Sequence, residues 1–329
     1  MYIIILVTIV IFLWFRHRVI HEKAPQRLSL VHSSLGKGRR HMTDNKLVWI
    51  MWEYLPDHTT QHTRYMHTFV KHFVHTFGWN VTIVTPKSSV KSYEDIPILE
   101  FKDRLTIERV VLAARCIVAE DGVADAAVAT AAAARLPLVL FIFNEHLHLL
   151  ETGVPIRLVV SSQWLVEKYP DRMSIVVRKP IFSKQAITYT SREYIGYIDE
   201  IGQADFRSIQ VQLPGFPFLH VDNTIQIKSV LEKIGILCIL TDDEMNVPIA
   251  MEAAYSGIPI ICYEHRGIRE VLGDSVIFVT GPKQCASILA TLKENMYYYE
   301  RLSRAISKQA RAYETMGDLE RLRSLLASF

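Results

Sequence analysis

The sequence predicts an α/β protein built from two Rossmann-like, doubly wound parallel-sheet domains, preceded by an N-terminal hydrophobic segment. Three observations carry this. Short apolar runs alternate with stretches of helical spacing from residue 46 onwards. Glycine or proline marks many of the changeovers, as at Gly78, Pro86, Gly257 and Pro259. The chain has 329 residues, half of them hydrophobic, enough for two α/β cores of about 130 residues each.

Residues 1–18 form the hydrophobic segment. No charge interrupts Tyr2 to Phe15, and Arg16, His17 and Arg18 follow. As a helix the run spans about 21 Å, short of the roughly 30 Å hydrocarbon core. Trp14 and the arginines can sit at the interface and ease the mismatch. No basic residue precedes the run and no small-x-small site follows it, which favours a membrane anchor over a cleaved signal peptide. The positive charges after the run place the bulk of the chain on the cytoplasmic side. Residues 19–44, with the Lys37–Gly38–Arg39–Arg40 cluster, read as a basic tether.

The first domain is expected over 45–180. Strand 46–52, helix 61–77, the stop at Gly78 and strand 79–85 make an opening βαβ unit. Strand 96–101, helix 107–116, a short strand at 117–119 and the alanine-rich helix 125–135 follow. Strands 138–143 and 158–161 come next, then strand 173–177, with a hinge over 178–190. The second domain, 181–312, opens with strand 194–198 and leaves no room before Leu240 for a further full βαβ turn. Helices 284–293 and 296–313 close it, and 313–329 is a C-terminal helix.

The densest pattern runs from Leu237 to Val279. An apolar strand ends at Leu240 and a polar loop containing Glu244 follows. Pro248 suits the first turn of a helix, Gly257 its C′ position, and Ile258 to Cys262 a second strand. Gly267 opens another helix. A helix N-terminus attracts phosphate through its unpaired N–H groups and its dipole, and a carboxylate just beyond can accept from vicinal sugar hydroxyls. The spacing therefore suits a nucleotide-sugar. Glu252 would take the ribose, Glu244 the transferred sugar, and the backbone at Asn246, Val247, Pro248, Ile249 and Gly267 the diphosphate.

Glu244-x7-Glu252 with Ala253–Ala254, then Ser256–Gly257–Ile258–Pro259–Ile260–Ile261, Gly267–Ile268 and Glu270–Val271, resembles the large group 1 (family 4-like) glycosyltransferases of GT-B fold. Ser162 to Glu167 resembles that family's Ser-x-x-x-x-Glu segment. The resemblance implies an acceptor domain and a nucleotide-sugar domain facing a cleft, transfer with retention of configuration, and a last helix packing back across the cleft. It implies no protein nucleophile, the leaving phosphate assisting the attacking hydroxyl. Gly196 falls where the family has the glycine of Gly-Arg. Tyr197 and Ile201 stand where it has the arginine and lysine that neutralise the diphosphate, while Arg192, Arg207, Arg178 and Lys179 are nearby cations. His146, beyond a strand of the first domain, is a candidate to face the sugar.

The reading is thus a hexosyltransferase-type enzyme taking a UDP- or GDP-sugar donor and a glycan or lipid-linked acceptor at a membrane. The missing arginine and lysine leave an alternative, a catalytically degenerate homologue serving as a binding or scaffold subunit. No cofactor or metal is expected, since no Asp-x-Asp occurs. A net charge of +3 without a basic stripe excludes nucleic acid as partner. Four cysteines without CxxC spacing read as reduced thiols. His58, His62, His67, His72 and His75 follow no zinc-protease spacing and read as surface or cleft residues along one helix.

Overall fold

A computed structural model describes residues 45–143, 154–170, 174–178, 193–198, 204–221, 227–241, 243–244, 246–313 and 316–329. The anchor, the tether, His146, Ile201, Arg192, Lys179 and nearly all of the expected hinge lie outside them.

The first sheet comprises β1 (Lys46–Ile50), β2 (Asn80–Thr85), β3 (Ser92–Tyr93), β4 (Ile96–Glu100), β5 (Cys116–Glu120), β6 (Leu138–Ile142), β7 (Ile156–Val160) and β8 (Ser174–Val176). Its order is β3-β4-β2-β1-β5-β6-β7-β8, parallel throughout except for the β3–β4 pair. The crossovers carry α1 (Gln61–His75), α2 (Arg104–Leu112), α3 (Ala124–Ala134) and α4 (Gln163–Lys168). Alternation along β1 sorts the helices. Val48 and Ile50 face α2 and α3, with Ile107, Val111 and Ala127. Leu47 and Trp49 face α1, with Phe69 and Phe73.

The second sheet comprises β9 (Tyr194–Ile198), β10 (Phe218–His220), β11 (Ile234–Ile239), β12 (Ile260–Tyr263) and β13 (Ile277–Val279), in the order β10-β9-β11-β12-β13 and parallel throughout. Its helices are α5 (Ala204–Gln212), α6 (Ile227–Leu231), α7 (Asn246–Tyr255), α8 (Arg266–Leu272), α9 (Pro282–Glu294) and α10 (Met296–Ala312). Buried residues of α7, α8 and α10 cover one face, and those of α5 and α9 the other. The last helix, α11 (Met316–Ala327), leaves this unit and buries Leu319, Leu322 and Leu326 in the α1 face of the first sheet.

Three expectations are corrected. The stretch between residues 198 and 240 does hold a further βαβ turn, β9-α5-β10, made possible by a nine-residue helix and a three-residue strand. Pro217 and His220 break the apolar run around that strand, so its signal is weak in the sequence. The helix expected at 107–116 is α2, which starts at Arg104 and stops at Leu112, freeing Cys116 to begin β5. The α1 histidines are not a uniform surface row, since His67 and His72 are buried. Where glycine was expected to end a helix, the backbone shows why. Gly78 and Gly257 take φ of +68° and +72°, and Ile258 N–H closes on Ala253 O at 3.0 Å after α7.

Candidate functional site

Parallel sheets present their loops at the C-terminal edges of the strands, and here the two edges meet. From the first sheet come Ser161 and Ser162 just after β7, then Trp164 in α4. From the second comes Glu244, in the loop after β11. Trp164 Nε1–H donates to Glu244 Oε1 at 2.8 Å, and Ser161 Oγ and Ser162 Oγ donate to Oε2 at 3.2 and 3.5 Å. Glu244 is only 7% exposed. Burial pushes its carboxyl above the ordinary range, partly countered by His265, Trp164 and Ser161.

The opening of α8 is shaped around the same carboxylate. A Cβ at Gly267 would lie 2.6 Å from Glu244 Oε1 and 2.8 Å from Val247 Cγ2, so only glycine fits. His265 caps this helix, its Nδ1 accepting from Ile268 N–H at 3.3 Å while Nε2–H donates to Asp243 O at 3.1 Å. Below this, Glu270 accepts from Gln163 N–H at 2.7 Å and pairs with Arg178. Arg178 N–H in turn donates to Asp318 at 3.0 Å, at the head of α11. Glu244, Glu270 and Asp318 thus form an acidic seam against donors from the first sheet.

The remaining expected residues are placed differently from one another. Asn246 and Val247 open α7, but their N–H groups already serve the turn, donating to Asp243 O at 2.9 Å and Glu244 O at 3.1 Å. Pro248 has no N–H. Of the five backbone positions expected to take a diphosphate, these three offer it no free N–H. The Asn246 side chain is buried with no partner for Nδ2 among the described residues. Glu252 is half-buried, nearly two turns into α7 rather than one, because the helix begins at Asn246. Gly196 sits mid-strand in β9, where a Cβ would meet Ile234 Cδ1 at 2.6 Å, so its smallness serves core packing. Tyr197 stacks face to face on Phe206, centroids 3.4 Å apart. Arg178 is committed to the seam, and Arg207 is exposed on α5. A cation that the sequence reading passed over, Arg266, opens α8 and lies over the Trp164 ring at 5.8 Å.

A second constellation was also missed. Glu120 ends β5 and is 3% exposed. Its Oε1 accepts from Trp52 N–H at 2.5 Å, and its Oε2 is hydrogen-bonded to His62 Nε2, in the first turn of α1. His62 packs edge-on against Phe143 at 4.9 Å. Burial pulls the imidazole pKa down, but the Glu120 hydrogen bond and charge, with Asp121 and Glu53 farther out, raise it above its ordinary value. The available signal was Glu120 itself, a lone acid ending an otherwise apolar strand. Among the described residues no group of three or more His, Cys, Asp or Glu is arranged to hold a metal, and no helix is long and apolar enough to cross a membrane.

No protein-family model matches this chain, and no curated protein matches it in sequence. Solved structures match it in fold. WaaG, described as a glycosyltransferase involved in lipopolysaccharide biosynthesis, aligns with a TM-score of 0.61 at 10% identity, over 85% of this chain and 99% of its own. Sucrose-phosphate synthase from Thermosynechococcus elongatus aligns with a TM-score of 0.61 at 8% identity, over 87% and 100%. LpCGTa, solved in complex with UDP, aligns with a TM-score of 0.54 at 10% identity, over 86% and 99%. At such identities the likeness establishes the GT-B fold, two Rossmann-like domains facing a cleft.

Proposed function

Taking the GT-B fold as premise, we propose that this chain is a glycosyltransferase moving a sugar from a nucleotide-diphosphate donor to an acceptor hydroxyl. The observation that carries the reading is the Glu244-x7-Glu252 block, lying at the C-terminal edge of the second sheet where the first sheet's edge meets it. The glycosyltransferase and UDP-bound structures that share the fold support it.

Under this reading Glu252 takes the ribose hydroxyls. Glu244 takes the sugar hydroxyls by exchanging its long bonds to Ser161 and Ser162, while the shorter Trp164 bond keeps it oriented. Arg266 offers the diphosphate a cation in place of those absent after β9. The donor is a UDP- or GDP-sugar, a glycan or lipid-linked hydroxyl the acceptor, and residues 1–18 the membrane anchor, with the bulk of the chain cytoplasmic. His146 remains a candidate sugar contact. Transfer with retention of configuration is the outcome that the family resemblance supports.

Thermal unfolding of the full chain in detergent, with UDP, GDP and their sugars, is the test. Binding at 100 times Kd adds about 2.7 kcal/mol to stability. A shift with one nucleotide, lost in Glu252→Ala, is the expected result. No shift on a folded sample would overturn the reading and return the chain to the scaffold class.

A further inference from the structure

We infer that Ser161 and Ser162 stand in for two donor-sugar hydroxyls on Glu244. The resting protein thus occupies its own sugar-binding carboxylate, and the two serines set its affinity for the sugar part of the donor. This rests on the proposed glycosyl transfer.

The bonding of Glu244 carries the inference. A carboxylate has two oxygens and about four acceptor positions. Oε1 takes the Trp164 indole N–H at 2.8 Å, with Gly267 packed closely beside it. Oε2 takes hydroxyls from two consecutive residues, Ser161 at 3.2 Å and Ser162 at 3.5 Å. A vicinal pair of sugar hydroxyls would present the same two donors. Glu244 is 7% exposed, Ser161 8% and Ser162 fully buried. A carboxylate so enclosed is costly without donors, so Oε2 needs a partner both before and after the sugar arrives.

The lengths say which bonds give way. Both serine bonds exceed the roughly 2.7–2.8 Å usual for O–H···O, whereas the Trp164 bond is of ordinary length. The serine side is the weaker one and exchanges hydroxyl for hydroxyl. The other ties across the seam do not involve Oε2. Gln163 N–H and Arg178 remain on Glu270, and Arg178 N–H on Asp318. The exchange is therefore local and does not require the two sheets to part.

Its consequence is thermodynamic. The sugar gains on Glu244 only the surplus over what the serines give up, while the nucleotide part of the donor is untouched. The serine bonds stabilise the free protein and not the complex. Removing them destabilises the free protein alone, and the difference appears as tighter sugar binding.

The experiment uses the full-length protein in detergent. Isothermal titration calorimetry gives dissociation constants for UDP, UDP-glucose, UDP-N-acetylglucosamine, GDP and GDP-mannose. In the double variant Ser161→Ala, Ser162→Ala, the nucleotide-sugar that binds is expected to tighten about 10-fold, the worth of two modest hydrogen bonds. The matching bare nucleotide should change by less than about 2-fold. Ser161→Ala alone removes the closer bond and should tighten the sugar about 3-fold, which serves where the double variant does not fold. In a Glu244→Ala background the same serine changes should leave the ratio of the two affinities unaltered. A purely structural tie would lower the melting temperature without moving that ratio. Equal or weaker nucleotide-sugar binding in the serine variants would overturn the inference. So would equal tightening of the bare nucleotide, which reports a general opening of the cleft. Absence of binding of all five compounds to the wild type would instead defeat the functional reading on which the inference rests.

Discussion

Residues of one type diverge in this protein according to what surrounds them, and α1 shows it best. His62 has its pKa raised by Glu120 despite burial, whereas burial lowers that of His67, whose Nδ1 is bonded to Tyr54 Oη at 2.6 Å. The two act oppositely on stability. The His62 contribution is full below the ordinary value of 6.5 and is lost as pH rises through the higher native value; that of His67 is present above 6.5 and is lost as pH falls through the lower one. Urea unfolding across this range should show Glu120→Gln removing the loss on the alkaline side and leaving the acid side unchanged. The thiols are uniform by contrast. All four are buried, and burial pushes Cys116 and Cys262 up to about 12. Ellman's reagent at neutral pH should therefore find them only after denaturation; a fast-reacting thiol in the folded protein would contradict the burial.

Elements carry the next set of consequences. The Gly267 position is closed by Glu244 and Val247, so Gly267→Ala must displace a carboxylate held by Trp164 and Ser161. Overpacking of this kind costs about 1–3 kcal/mol, and the same holds for Gly196→Ala against Ile234. Only the first should also weaken nucleotide binding, a difference readable by thermal shift with and without UDP and GDP. α11 makes the other strong case. Leu319, Leu322 and Leu326 are fully buried in the α1 face of the first sheet. Leu322→Ala should destabilise by about 2–5 kcal/mol, measured by denaturant unfolding. Long, well-punctuated elements such as α1 and α7 were legible because periodicity and glycine or proline stops agree with the tertiary packing. β10 and α6 were not, being three and five residues long and too short for any periodicity to show.

Across the whole molecule the acidic seam joins the units. Trp164→Phe removes the 2.8 Å donor to Glu244 and leaves a buried carboxylate short of a partner, at a cost of about 1–3 kcal/mol. Adding Arg178→Ala strips the Glu270 and Asp318 ties, and X-ray scattering in solution should then report a larger radius of gyration. An unchanged radius would mean that the seam does not hold the cleft closed. Much of the fold could be read from the chain alone, because strand and helix periods and helix stops are local patterns, and so is the Glu244–Glu252 spacing on which the candidate site was built. The sequence by itself determined two parallel α/β sheets and an acidic block at the head of α7. Only the tertiary structure decided that Glu244 is gripped by Trp164, that Gly196 serves the core, and that His62 meets Glu120. Each of those depends on partners at least 38 residues apart, brought together by strand order and by the meeting of two sheet edges. No local pattern encodes such contacts, because it is chain reversal across the sheets that creates them.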